Sequence, residues 1–147
     1  MTNLKNMDLK KRIAIVAQEN KKTELIEWSY FNKNLLMQHE IIAEGKAGDI
    51  LEGTLNIPVL KLAGGPMGGY RQLASMISEG EVDILVFFWN AETLLEENDI
   101  KNLLHTAVGE NILIAYNIPS ADFIFASALM DKKYPLRVPE LSLPQGK

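Results

Sequence analysis

Seven consecutive residues, Gly64-Gly65-Pro66-Met67-Gly68-Gly69-Tyr70, place four glycines between an apolar run, Val59 to Leu62, and a segment with helical spacing. Glycine has no Cβ, so an anionic or flat ligand can come close to main-chain N–H groups, and a helix starting just beyond adds the positive end of its dipole. The chemistry on offer is anion binding. A lone pair of glycines is more often a turn that needs positive φ; this density of glycine points to a site. Three other polar turns can face it: Gln18 to Lys22, Glu44 to Gly48, and the residues from Asn90 onward. They carry carboxylates able to take a proton (Glu19, Glu44, Glu97) and cations able to hold an anion (Lys22, Lys46). The plainer reading of each glutamate is a solvated surface charge, since nothing in a sequence reveals a shifted pKa.

Elements that could position these residues follow from hydrophobic periodicity. Arg12 to Ala17, His39 to Glu44, Ile57 to Leu62, Val82 to Trp89 and Asn111 to Tyr116 read as strands, and Val82 to Trp89 is apolar enough for the centre of a parallel sheet. Helices are expected from Thr23 to about Leu36, from Asp49 to Leu55 after a Gly45-Lys46-Ala47-Gly48 turn, beyond Tyr70 through Leu73, Met76 and Ile77, along Ile100 to Val108 with Gly109 as the stop, and from Ser120, as N-cap, to Leu129. Five strands alternating with helices predict an α/β three-layer sandwich around a five-stranded, mostly parallel sheet, with ligands gathered beyond the carboxyl ends of the strands. Residues 1–11 are a flank, 12–130 the domain, and 131–147, with Pro135, Pro139 and Pro144, an extended tail.

Composition narrows the classes. The 147 residues, 47% of them hydrophobic, suit one domain with a sizeable core. A net charge of −4 argues against a nucleic-acid surface, and Lys10-Lys11-Arg12 is expected to be a solvated flank. There is no cysteine, hence no thiolate nucleophile, and no apolar stretch of membrane-spanning length, so a cytoplasmic protein is expected. His39 and His105 lack a second ligand at metal spacing, and Glu92, Glu96, Glu97 and Asp99 read as a solvated loop; no metal and no cofactor are expected.

From about Arg12 to Ser127 the chain resembles the methylglyoxal synthases. The resemblance is carried by IAIVA, by GPMGG at Gly65 to Gly69, by ISEG at Ile77 to Gly80, by VDILVFFW at Val82 to Trp89 and by NIPSADFI at Asn117 to Ile124. It implies a homohexameric lyase fold acting on a small phosphorylated molecule, dihydroxyacetone phosphate, and releasing methylglyoxal and inorganic phosphate. In such enzymes a carboxylate removes a carbon-bound proton, a histidine serves the developing enediolate, and hydroxyl and backbone groups hold the phosphate.

Several of those positions carry other residues here. The resemblance places the catalytic Asp at Tyr70, a His at Gln18, a second Asp at Asn90 and a second His near Glu97, while Asp99 is retained. A tyrosine, with a reference pKa of about 10, is a poor base at neutral pH, and a glutamine cannot shuttle a proton. The hydroxyl-rich phosphate loop reads Glu44-Gly45-Lys46-Ala47-Gly48, and the Ser before GPMGG is Gly64. Lys22 matches a phosphate-binding lysine, Lys46 adds a cation, Gly65 keeps its backbone donor, and Glu44 repels phosphate if it points inward. The expected function is a ligand-binding or regulatory protein with synthase activity lost or strongly impaired. The alternative is an active synthase with relocated groups: Glu19, Glu44 or Glu97 as base, and Lys22 or Lys46 as phosphate anchor. A ligand-sensing domain like those in carbamoyl phosphate synthetase is a third reading.

Overall fold

The computed structural model describes residues 2–90 and 97–139. Glu92, Glu96 and the tail from residue 140 lie outside the described residues. Five strands form a parallel sheet: β2 (Arg12–Ala17), β3 (Glu40–Glu44), β4 (Val59–Leu62), β5 (Ile84–Phe88) and β6 (Leu113–Ala115), in the order β4-β3-β2-β5-β6. The chain leaves β2 toward β3 and β4, then returns to lay β5 on the other side of β2. Strand order therefore reverses at β2, which opens a crevice at its carboxyl end.

Alternation along the strands divides the core in two. Ile13 and Ile15 of β2 with Ile84, Val86 and Phe88 of β5 face α1 (Lys22–Phe31), α3 (Gly45–Leu55) and α6 (Ile118–Ala126). Ala14, Val16, Leu85 and Phe87 face α4 (Gly69–Ser78) and α5 (Asn98–Gly109). This is the expected three-layer sandwich, with all five strands parallel. Every residue of β5 is buried, as its unbroken apolar run requires.

Local details depart from the sequence expectations for identifiable reasons. The helix expected through Leu36 is interrupted at Asn32, whose side-chain amide donates to the Trp28 carbonyl at 2.9 Å, and it resumes as α2 (Lys33–Leu36). The Gly45-Lys46-Ala47-Gly48 turn is in fact the first turn of α3. The N-cap of α6 is Asn117 and not Ser120: Asn117 Oδ1 accepts from the Ser120 N–H at 2.8 Å, Pro119 occupies the first turn, and the helix ends at Ala126.

The two chain ends, read as a flank and an extended tail, pair as an antiparallel ribbon of β1 (Thr2–Met7) and β7 (Tyr134–Pro139). Lys11 is not a solvated flank. It is 2% exposed, its ammonium donates to the carbonyls of Asp8 and, at 2.5 Å, Lys132, and its N–H donates to His39 Nδ1 at 2.8 Å. Among the described residues, no helix is long and apolar enough to cross a membrane.

Candidate functional site

At the carboxyl end of β2, β3 and β5 lies a cavity of about 440 Å³. Its walls come from the turn after β2 (Gln18, Glu19, Lys22), the end of β3 and start of α3 (Glu44, Lys46), the glycine stretch (Gly64, Gly65, Tyr70), Trp89 and Glu97. The four polar turns thus converge, as the switch in strand order demands. Gly45, Asn90 and Asp99 do not line this cavity. Gly45 packs instead on the Gly64 backbone, where a Cβ would meet the Gly64 nitrogen at 3.3 Å. The Asn90 N–H donates to Gln18 Oε1 at 2.9 Å, so these two positions tie the ends of β2 and β5 together. Asp99 sits half-buried in the first turn of α5.

The glycine stretch folds as a single 3-10 turn, Gly65–Met67, followed by Gly68 at φ 108°, a value that favours glycine there, and then by α4. Tyr70 heads the buried stripe of α4 with Leu73, Ala74 and Ile77, so helical periodicity turns its ring inward. The ring lies directly on Gly65: a Cβ added at Gly65 would stand 2.1 Å from Tyr70 Cζ. It also meets Trp89 edge-on, with centroids 6.0 Å apart. Burial first, then the charges of Glu44 and Glu97, push the Tyr70 phenol well above the ordinary tyrosine range. It is a neutral wall at physiological pH and no base.

Glu44 is the residue that reading the turns one at a time undervalued. It is 5% exposed, and its Oε2 accepts from the Gly65 N–H at 3.0 Å. The backbone donor expected to await a ligand is therefore taken by an internal carboxylate. Strand alternation carried the signal: Glu44 shares the parity of Ile42, which faces α4, so its side chain points to the Tyr70 side of the sheet. The other two glutamates are exposed. Glu19 pairs with Lys46 at 2.8 Å with both side chains mostly in solvent, and that hydrogen bond holds the Glu19 carboxyl below its ordinary value and the Lys46 ammonium above its own. Lys22 also lines the cavity, and its charge acts on Glu19.

The fold and crevice define an α/β protein with a small-molecule pocket at a topological switch point, lined by a buried carboxylate and two lysines. No protein-family model matches the chain. Individual relatives do. The chain is 38% identical over 137 residues to the methylglyoxal synthase of Photorhabdus laumondii, covering 92% of this chain and 90% of that one. It is 42% identical over 131 residues to the methylglyoxal synthase of Coxiella burnetii, with coverages of 88% and 92%. The crystal structure of methylglyoxal synthase from Elizabethkingia anophelis superposes with a TM-score of 0.88 at 32% identity, over 95% of this chain and 93% of that one. The chain belongs to the methylglyoxal synthase family. Loss of activity is not shown by these relatives, which favour the active alternative over the inactive reading.

Proposed function

We propose that the protein is an active carbon–oxygen lyase of the methylglyoxal synthase type, with its proton-abstracting carboxylate relocated to Glu44. The observation that carries the reading is that, among the described residues, Glu44 alone of the three glutamates lining the cavity is buried there. A carboxylate so placed replaces the one missing at Tyr70. Lys22 and Lys46 are the cations available to the substrate phosphate. In dihydroxyacetone phosphate, Glu44 takes a proton from the hydroxymethyl carbon and the C–H electrons form the enediolate. The hydroxyl proton on that carbon passes to the neighbouring enolate oxygen, the resulting oxyanion closes to the aldehyde, and the displaced electron pair expels the phosphate as the C–O bond breaks. Glu44 returns its proton to the departing phosphate, and the released enol gains a proton on its terminal carbon while losing its hydroxyl proton to solvent, which gives methylglyoxal. The substrate gives one molecule of methylglyoxal and one of inorganic phosphate, with no oxidant or reductant.

A second reading has its own observation. Tyr70, buried and neutral at the position the resemblance gives to the catalytic Asp, favours a phosphate-binding or regulatory protein with little turnover. Purified protein incubated with dihydroxyacetone phosphate separates the two. The synthase reading expects methylglyoxal and phosphate in equal amounts, with turnover falling at least about a hundredfold in Glu44→Gln, the scale of a positioned base. A silent wild-type protein sinks it in favour of the binding reading, and unimpaired turnover in Glu44→Gln sinks the assignment of the base. Homohexameric assembly and a cytoplasmic setting belong to the same proposal; a monomeric mass in solution overturns the hexamer.

A further inference from the structure

Glu44 has a second role that follows from where its carboxylate rests. We propose that it is a built-in competitor for the anion seat at Gly65, one that an incoming phosphate must displace. The inference rests on the reading that this cavity takes a phosphorylated compound, and not on turnover.

The Tyr70 ring covers the place where a Gly65 side chain would stand. Gly65 lines the cavity, and its N–H donates there to Glu44 Oε2. Glu44 reaches this donor across 21 positions of sequence. It is also the N-cap residue of α3, yet its side chain makes no capping bond to that helix. Helix starts are capped by the shorter Ser, Thr, Asp and Asn side chains, and the longer glutamate reaches the glycine turn instead.

The surroundings make the contact displaceable. Lys46, which follows Glu44 by two residues and lines the same cavity, spends its charge on exposed Glu19. Lys22 stands on the wall, its charge acting on Glu19 without a hydrogen bond to it. A phosphate entering between these lysines meets cations at the mouth and a like charge at the floor. It gains the Gly65 N–H only when Glu44 swings off it, and the freed carboxylate is then available to the carbon end of the same ligand. Like charges forced together cost affinity, so Glu44 sets the threshold for anion entry.

The test is calorimetric titration of the full chain with inorganic phosphate at constant ionic strength. Glu44→Gln removes the charge but keeps an acceptor for the Gly65 N–H, whereas Glu44→Ala removes both. The expected order of affinity is Ala above Gln above wild type, with a gain of about tenfold or more in Glu44→Ala. Glu97→Gln removes a charge from the same cavity without touching Gly65, and is expected to gain less than Glu44→Gln. Equal gains in Glu97→Gln and Glu44→Gln reduce the effect to net charge and overturn the competitor. Unchanged, weaker or absent phosphate binding in both Glu44 variants overturns it too. Thermal melts confirm folding, and if Glu44→Ala fails to fold, Glu44→Gln against Glu97→Gln still decides. Failure of the synthase reading shows separately, as no methylglyoxal from a wild-type protein that binds phosphate.

Discussion

The two ends of the parallel sheet both bury polar side chains, but for different purposes. At the amino end, Asp83 is 2% exposed and accepts from the Arg12 N–H at 2.8 Å and from the Arg12 guanidinium at 3.2 Å. Lys11 and His39 close on backbone groups of the neighbouring segments in the same way. Each of these groups joins one piece of main chain to another. At the carboxyl end, Glu44 also bonds main chain, yet the bond lies on the wall of a cavity flanked by lysines. Burial alone does not mark a functional group; a buried charge whose partner can be exchanged for a ligand does.

Substitutions that exchange stability for binding break or sharpen this contrast. The largest expected effect is on Asp83→Ala, which leaves Arg12 donors without their acceptor and costs about 3 kcal/mol in urea unfolding. Its phosphate affinity stays unchanged. Glu44→Ala reverses the pattern, costing under about 1 kcal/mol because water in the cavity can accept from the Gly65 N–H, while phosphate affinity and turnover both move. Equal stability losses in the two variants would erase the distinction between the sheet ends.

Next in size is Gly65→Ala. Its Cβ collides with Tyr70, so the ring must leave its seat at a cost of about 2 kcal/mol. Pairing it with Tyr70→Ala is expected to recover at least about 1 kcal/mol as coupling energy, measured by a double-mutant cycle. Additive losses would mean that the ring does not rest on Gly65.

At the amino end, pH provides a smaller effect. Burial first, then the charge of Lys11, holds the His39 imidazole below its ordinary value. The unfolded chain therefore binds more protons than the folded one below about pH 6.5, and stability present above that pH is lost as the pH falls. His39→Asn, which keeps an acceptor near the Lys11 N–H, is expected to flatten the dependence of the melting temperature between pH 7 and 5. The smallest effect is on Tyr70→Phe: turnover within about threefold of wild type, against the hundredfold of a positioned acid or base. A hundredfold loss would return Tyr70 to the chemistry.

Much of the fold was legible from local pattern. The nearly continuous apolar run Val82 to Trp89 required a strand buried on both faces, and β5 is one; it lies between β2 and β6, while the middle of the sheet belongs to β2. The stripe Leu73, Met76 and Ile77 and the one at Ile100, Leu103, Leu104, Ala107 and Val108 required helices against one face, where α4 and α5 lie, although Met76 is only partly buried and Val108 is exposed. Element ends were less legible because side-chain bonds decide them. Asn32 broke a helix through the Trp28 carbonyl, and Asn117, three residues ahead of Ser120, supplied the cap. Pairing of Thr2–Met7 with Tyr134–Pro139 has no local signature, since its partners lie at opposite ends of the chain.

For the site, the sequence by itself determined the residue types and their convergence: a glycine turn, three glutamates and two lysines at the carboxyl edge of an α/β sheet. Only the tertiary structure decided which of them face one another. Glu19, Glu44 and Glu97 are equivalent as letters. Strand parity, the ring of Tyr70 over Gly65 and the pairing of Lys46 with Glu19 left one of them buried on a backbone donor and two in solvent. Types are local properties of the chain, whereas a carboxylate's burial and its partner are set by elements tens of residues away.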